Sequence, residues 1–116
     1  MEHAPLAARL LGEVRLAHEE LIAHTNAGTS VRDGLQAVAT AIAAALDGLS
    51  DERVLMAPVP DEWSMVEVVE HVHEHDRNYQ EAAQHGVSHY VEHGLEHALQ
   101  LWKLRRDLGL SAPPRE

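Results

Sequence analysis

This sequence predicts an all-α protein, a four-helix bundle, on three observations. Apolar residues recur at three- and four-residue steps in four separate stretches, as they do on helices that bury one face. Ala, Leu and Val supply most of the apolar content and Phe is absent, a composition that favours helix over strand. The connections between the stretches are short, and no strand pattern interrupts them. With 116 residues the chain fits a single domain, residues 1–116, built on one hydrophobic core.

The first helix is expected over residues 6–25. Pro5 suits its first turn, and Leu11, Val14, His18 and Leu21 form a stripe widened by Leu10 and Ala17. Asn26-Ala27-Gly28 ends it. The second is expected over 31–48, starting at Ser30 with Asp33 as an acidic capping partner. Leu35, Val38, Ile42, Ala45 and Leu49 form its apolar face, and its many alanines let a neighbour come close.

Residues 51–62 read as a connector, because Pro58 and Pro60 forbid a regular helix there. Val54, Leu55 and Met56 tie it to the bundle. The third helix is expected over 64–84. Ser64 and Glu67 have the spacing of a capping box, and Trp63 precedes the cap, placed to staple onto Val68. Met65, Val68, Val69, Val72, Tyr79 and Ala83 share a face. Gly86 is the expected break, with Ser88 as the cap of a fourth helix over 88–108 that ends before Gly109. Tyr90, Gly94, Leu101, Leu104 and Leu108 line its apolar arc, broadened by Val91, Ala98 and Trp102.

Charge and composition exclude several function classes. A formal charge of −10 argues against a nucleic-acid partner, whose phosphates demand clustered Lys and Arg. The one basic cluster, Lys103, Arg105 and Arg106, falls near the end of the last helix, where cations complement the macrodipole. No apolar run is long enough for a membrane span, and the first residues lack the pattern of a signal peptide. A cytoplasmic location is the expectation. There is no Cys, so a protein thiolate can be neither ligand nor nucleophile. No phosphate loop, nucleophile elbow or H-E-x-x-H motif occurs.

What remains is an unusual store of ten histidines, interspersed rather than in one run. His85, His89, His93 and His97 follow one another every four residues. On a helical wheel, His97 falls inside the apolar arc of the last helix, His93 at its edge and His89 further out. His93-x-x-x-His97 is the pair that can hold a metal ion from one helix face, and imidazole suits Zn, Ni, Fe or Cu. A bundle site would draw a third ligand from the facing helix. His71 and His75 share a flank of the third helix, and the pattern does not choose between them. Asp76 lies near the middle of the apolar face, where a carboxylate is hard to dismiss. His18, in the first helix's stripe, reads as a core or supporting residue; His3, His24, His73 and His85 read as surface. Glu70, Glu74, Glu92 and Glu96 belong to solvated faces, where one of them could orient a ligating imidazole.

Leu49-Ser50-Asp51-Glu52-Arg53, then Pro58-Val59-Pro60, then Trp63-Ser64-Met65-Val66-Glu67-Val68-Val69-Glu70-His71-Val72, resembles the DinB-like (DinB/YfiT) superfamily. Its members carry a proline-containing connector, a Trp-Ser/Thr helix opening and a metal-ligating His eight residues after the Trp. They also carry a His-x-x-x-His pair on the last helix, often with a Gln close behind, as in His93, His97 and Gln100 here. The resemblance covers about half the chain. It implies a metal triad of His71, His93 and His97 with a divalent metal at one end of the bundle. Zn or Ni is the metal expected there, and the helical wheel leaves His75, His89, His18 and Asp76 as candidate additional or supporting groups. The resemblance further implies frequent homodimers and, in some relatives, transferases or isomerases that act on a small molecule with a low-molecular-weight thiol such as mycothiol or bacillithiol.

Two departures bear on topology. The family's segment between its second and last helices is nearly absent here, and an extra helix precedes the family's first. Three arrangements follow: an altered helix order, the first helix in the missing place, or a bundle completed by a second chain. The competing functional reading is a non-enzymatic helical assembly or stress-response module with structural histidines. A pH-responsive interface is a third, since imidazoles titrate near neutrality.

Overall fold

The computed structural model describes residues 2–25, 28–78 and 86–110. The described secondary structure is all helical: α1 (Pro5–Thr25), α2 (Thr29–Ala45), a one-turn α3 (Asp51–Val54), α4 (Met65–Asp76) and α5 (Ser88–Asp107). α1 packs on α2 and α4, and α5 packs on α2 and α4. The four long helices therefore form a ring in the order α1, α2, α5, α4, closed within one chain. In this ring α1 lies between α2 and α4. No described helix is long and apolar enough to cross a membrane.

The core follows the predicted faces. Leu10, Leu11 and Val14 of α1 meet Val38 and Ile42 of α2, Met65, Val68, Val69 and Val72 of α4, and Leu101 and Leu104 of α5. A smaller cluster of Leu21, Leu35 and Tyr90 closes the other end. There the Tyr90 hydroxyl donates to the carbonyl of Asn78, tying the start of α5 to the chain just past α4.

The start of α4 is fixed as the sequence implies. The Glu67 amide donates to Ser64 Oγ (3.2 Å) and the Ser64 amide to Glu67 Oε1 (3.1 Å), so each side chain satisfies an otherwise orphaned donor. Other boundaries differ. α2 begins at Thr29 with Gly28 as its N-cap and no side-chain cap bond, so Ser30 lies inside the first turn and does not cap. Val87, not Ser88, is the N-cap of α5. α4 ends at Asp76, with the Arg77 amide donating to the His73 carbonyl, eight residues short of the expected end. Positions 79–85, with Tyr79, Ala83, Gln84 and His85, lie outside the described residues, as do Asn26, Ala27 and the terminal prolines. Gly86 and Gly109 adopt φ of +81° and +71°, where a Cβ would be strained, and so mark the ends of α5.

The connector is more structured than its prolines suggest. Ser50 caps α3 by accepting from the Arg53 amide (3.3 Å), and Asp51 Oδ1 accepts from the Leu6 amide (3.0 Å) at the start of α1. Arg105 does not serve the end of its own helix as a surface cation. It is buried, and its guanidinium donates to the carbonyls of Ala45 and Asp47 (2.9 Å each), satisfying the C-terminal end of α2.

α2 and α5 approach most closely through two glycines. A Cβ on Gly94 would come within 2.5 Å of a Val38 methyl, and one on Gly34 within 2.9 Å of the Val91 methyls. Gly94 follows His93 directly, so this contact also sets how deep α5 sits at its histidines. Gly94→Ala gains about 1 kcal/mol of helix propensity and is opposed by an overpacking cost of about 1–3 kcal/mol. A lower urea midpoint is expected; an unchanged or higher one would show that the helices do not meet there.

Candidate metal centre

α4 and α5 each place histidines at the seam between them. The capping box fixes where α4 starts, and hence the height of His71 two turns in. Trp63, half exposed, lays its indole against the His71 ring (centroids 5.1 Å apart). On α5, His93 and His97 stand one turn apart on the same face.

Three imidazole nitrogens converge. His93 Nε2 lies 3.2 Å from His71 Nε2 and 3.1 Å from His97 Nε2. A single ring nitrogen cannot donate to both neighbours, so at least one contact in this cluster lacks a proton to share. Tetrahedral zinc with its usual Zn–N bond sets ligand nitrogens about 3.3 Å apart, which is close to the spacing found. All three rings are half-buried. His97 Nδ1 donates to Gln100 Oε1 (2.7 Å), which fixes the tautomer that leaves its Nε2 lone pair facing the cluster.

The electrostatics disfavour protonation of His93 and His71. Burial, then the neighbouring His75, His97 and His71, push the His93 pKa down to about 4, against an opposing pull from Asp76. His71 is lowered in the same direction by burial, His97 and His75. Neutral imidazoles are the form that ligates metal. The same depression makes metal-free stability depend on pH. The unfolded chain takes up the His93 proton near the ordinary value of 6.5, and the folded chain only near 4. The contribution is complete above about 6.5, falls away between 6.5 and 4, and levels off below. Urea midpoints of metal-free protein are expected to drop through that window; a midpoint that rose as the pH fell would contradict this cluster geometry.

A second group, His75, Asp76 and His93, also brings one ligand atom from each residue within 4.8 Å of the others. Ring orientation separates the two groups. His75 and His93 stack at 3.9 Å with their planes only 28° apart. Imidazole lone pairs lie in the ring plane, so those of near-parallel rings run side by side and do not converge on one ion. His71 instead meets His97 edge-on, with planes 75° apart. Geometry thus separates His71 from His75, which the helical wheel did not.

Asp76 is fully buried and holds the supporting layer together. It accepts from His18 Nε2 on α1 (2.7 Å) and from His75 Nδ1 (3.3 Å). His93 Nδ1 is buried and has no hydrogen-bond partner among the described residues. With Nε2 turned to the cluster, Nδ1 carries the proton and needs an acceptor, and the Asp76 carboxylate is the neighbouring candidate.

The remaining predicted residues fall outside the cluster. His89 lies 5.5 Å from the His75 ring and 6.2 Å from the His93 ring and joins neither group. His73 faces α1, 3.9 Å from Glu13. Glu70, Glu74, Glu92 and Glu96 are exposed, and the partner of His97 is an amide, not one of these carboxylates. His3 is no free surface residue: its Nε2 donates to the Ala43 carbonyl (2.7 Å). Beside the cluster, Asp61, Glu62, Trp63, Gln100, Lys103 and Leu104 line a concavity of about 360 Å³. It shares Trp63 with His71 and Gln100 with His97. Comparison with known family models, curated proteins and solved structures finds no match to this chain.

Proposed function

We propose that this chain is a DinB-like helical bundle that binds one divalent metal, Zn or Ni, through His71, His93 and His97. The observation that supports it is the convergence of three imidazole nitrogens at ligand spacing, with Gln100 holding the tautomer of one of them. Three protein ligands leave a fourth position open, as in catalytic zinc sites. A divalent ion there would supply Lewis acidity and lower the pKa of a water or a thiol.

The reaction class we infer is a transfer or isomerisation with a low-molecular-weight thiol. Because the chain has no Cys, any thiol must come from a cosubstrate. The concavity walled by Trp63 and Gln100 is the place for a small-molecule substrate: its walls already touch two of the three proposed ligands. In the same reading the protein works in the cytoplasm, and a homodimer is its expected assembly.

The non-enzymatic alternative draws on His18 and His3, which do have structural bonds. A melting curve with and without EDTA separates the two. An ion present at 100 times its Kd, bound to the native state alone, adds about 2.7 kcal/mol. For a domain of this size that raises Tm by roughly 10–20 °C. Protein made without a His tag should show this shift with Zn or Ni and lose it in EDTA. Identical curves would favour the structural reading.

A further inference from the structure

α1 and α2 flank a second concavity, of about 430 Å³, a size suited to a small molecule. Arg15 and His18 line it from α1, Arg32 from α2, and Ile22, Leu35 and Ala39 supply an apolar wall. Neither guanidinium has an ion-pair partner among the described residues, in a chain whose formal charge is −10. Arginines in so acidic a protein have many carboxylates within the chain to choose from, and these two face one cavity instead. Glu19 is the one carboxylate in the lining, set against the two guanidiniums.

His18 adds a directional feature. Its side chain is only 6% exposed. Its Nε2 is held by Asp76, which as a carboxylate can only accept, so Nε2 carries the proton. Its Nδ1 has no hydrogen-bond partner among the described residues, and the ring lines this cavity. With the Nε2 proton given to Asp76, an unprotonated Nδ1 on the cavity side would accept from a ligand's donor. Two guanidiniums need an acceptor that is planar and anionic, the form carboxylates have.

We propose that this concavity binds a small hydroxycarboxylate. Its carboxylate would pair with Arg15 and Arg32, its hydroxyl would donate to His18 Nδ1, and its hydrocarbon part would lie on Leu35, Ile22 and Ala39. The site uses none of His71, His93 and His97, so it stands whether or not those residues hold metal.

The test is an NMR titration of the full chain with lactate and with propionate, which lacks the hydroxyl. It is read at the Arg15 and Arg32 Nε–H signals and the His18 ring signals, and repeated on the Arg15→Ala/Arg32→Ala double variant. Both arginines are surface residues, so the variant should keep the wild-type fold. Lactate is expected to give saturable shifts, with propionate at least fivefold weaker and lactate binding to the double variant at least tenfold weaker. The proposal is overturned if lactate gives no saturable shift, if propionate binds equally well, or if the double variant binds lactate like wild type.

Discussion

Replacing His93 by alanine is expected to weaken Zn binding by roughly a hundred- to a thousandfold, the share of one ligand in the affinity of a histidine-rich zinc site. Its Nε2 lies within 3.2 Å of both other proposed ligand atoms, so its loss breaks the cluster in the middle. His71→Ala and His97→Ala should have effects of the same order. His75→Ala should not: that ring stacks on His93 and bonds Asp76, a supporting role whose loss changes affinity by roughly tenfold. Competition against a chelator of known affinity, at pH 7 where His93 is already neutral, measures all four variants. If His75→Ala fell as far as His93→Ala while His71→Ala kept its metal, the ion would belong to the other group.

The second large effect concerns stability. The His18 side chain is 6% exposed and the Asp76 side chain 0%, with 2.7 Å between Nε2 and Oδ2. His18→Leu leaves a buried carboxylate without its shortest hydrogen bond, and removing one member of such a pair costs about 3–5 kcal/mol. Against the 5–15 kcal/mol that holds a typical domain, that is a large fraction, roughly a fifth or more. Replacing both residues by leucine should destabilise less than replacing His18 alone, because the unpaired charge disappears with its partner. Urea unfolding of the three proteins decides it. A single variant within about 1 kcal/mol of wild type would show that Asp76 is reached by water.

The features legible in the sequence were local ones. Ser64 and Glu67 are three residues apart, and a capping box depends only on that spacing and on the backbone it caps. The apolar stripes were legible for the same reason, and so was the His93 and His97 pair on one face. What the sequence hid spans long separations. His18 and Asp76 are 58 residues apart, and Arg105 reaches back 60 residues to the Ala45 carbonyl. Each looked like something simpler on its own helix: a stripe residue, a stray carboxylate, a C-terminal cation. His71 and His75 differed too little in angle on the wheel to be told apart. Ring orientation separates them, and it depends on the packing of α4 against α5. α3 was missed because a single turn has no periodicity, although Ser50 followed by Asp51 and Glu52 was the cap signal that could have revealed it.

The most direct test of the metal centre is a crystal of tag-free protein grown with one equivalent of zinc, with diffraction recorded on both sides of the zinc absorption edge. The proposed function predicts one anomalous peak at the α4–α5 seam, about 2.0–2.1 Å from Nε2 of each of His71, His93 and His97. A peak between His75, Asp76 and His93, or no peak at the seam, would contradict it.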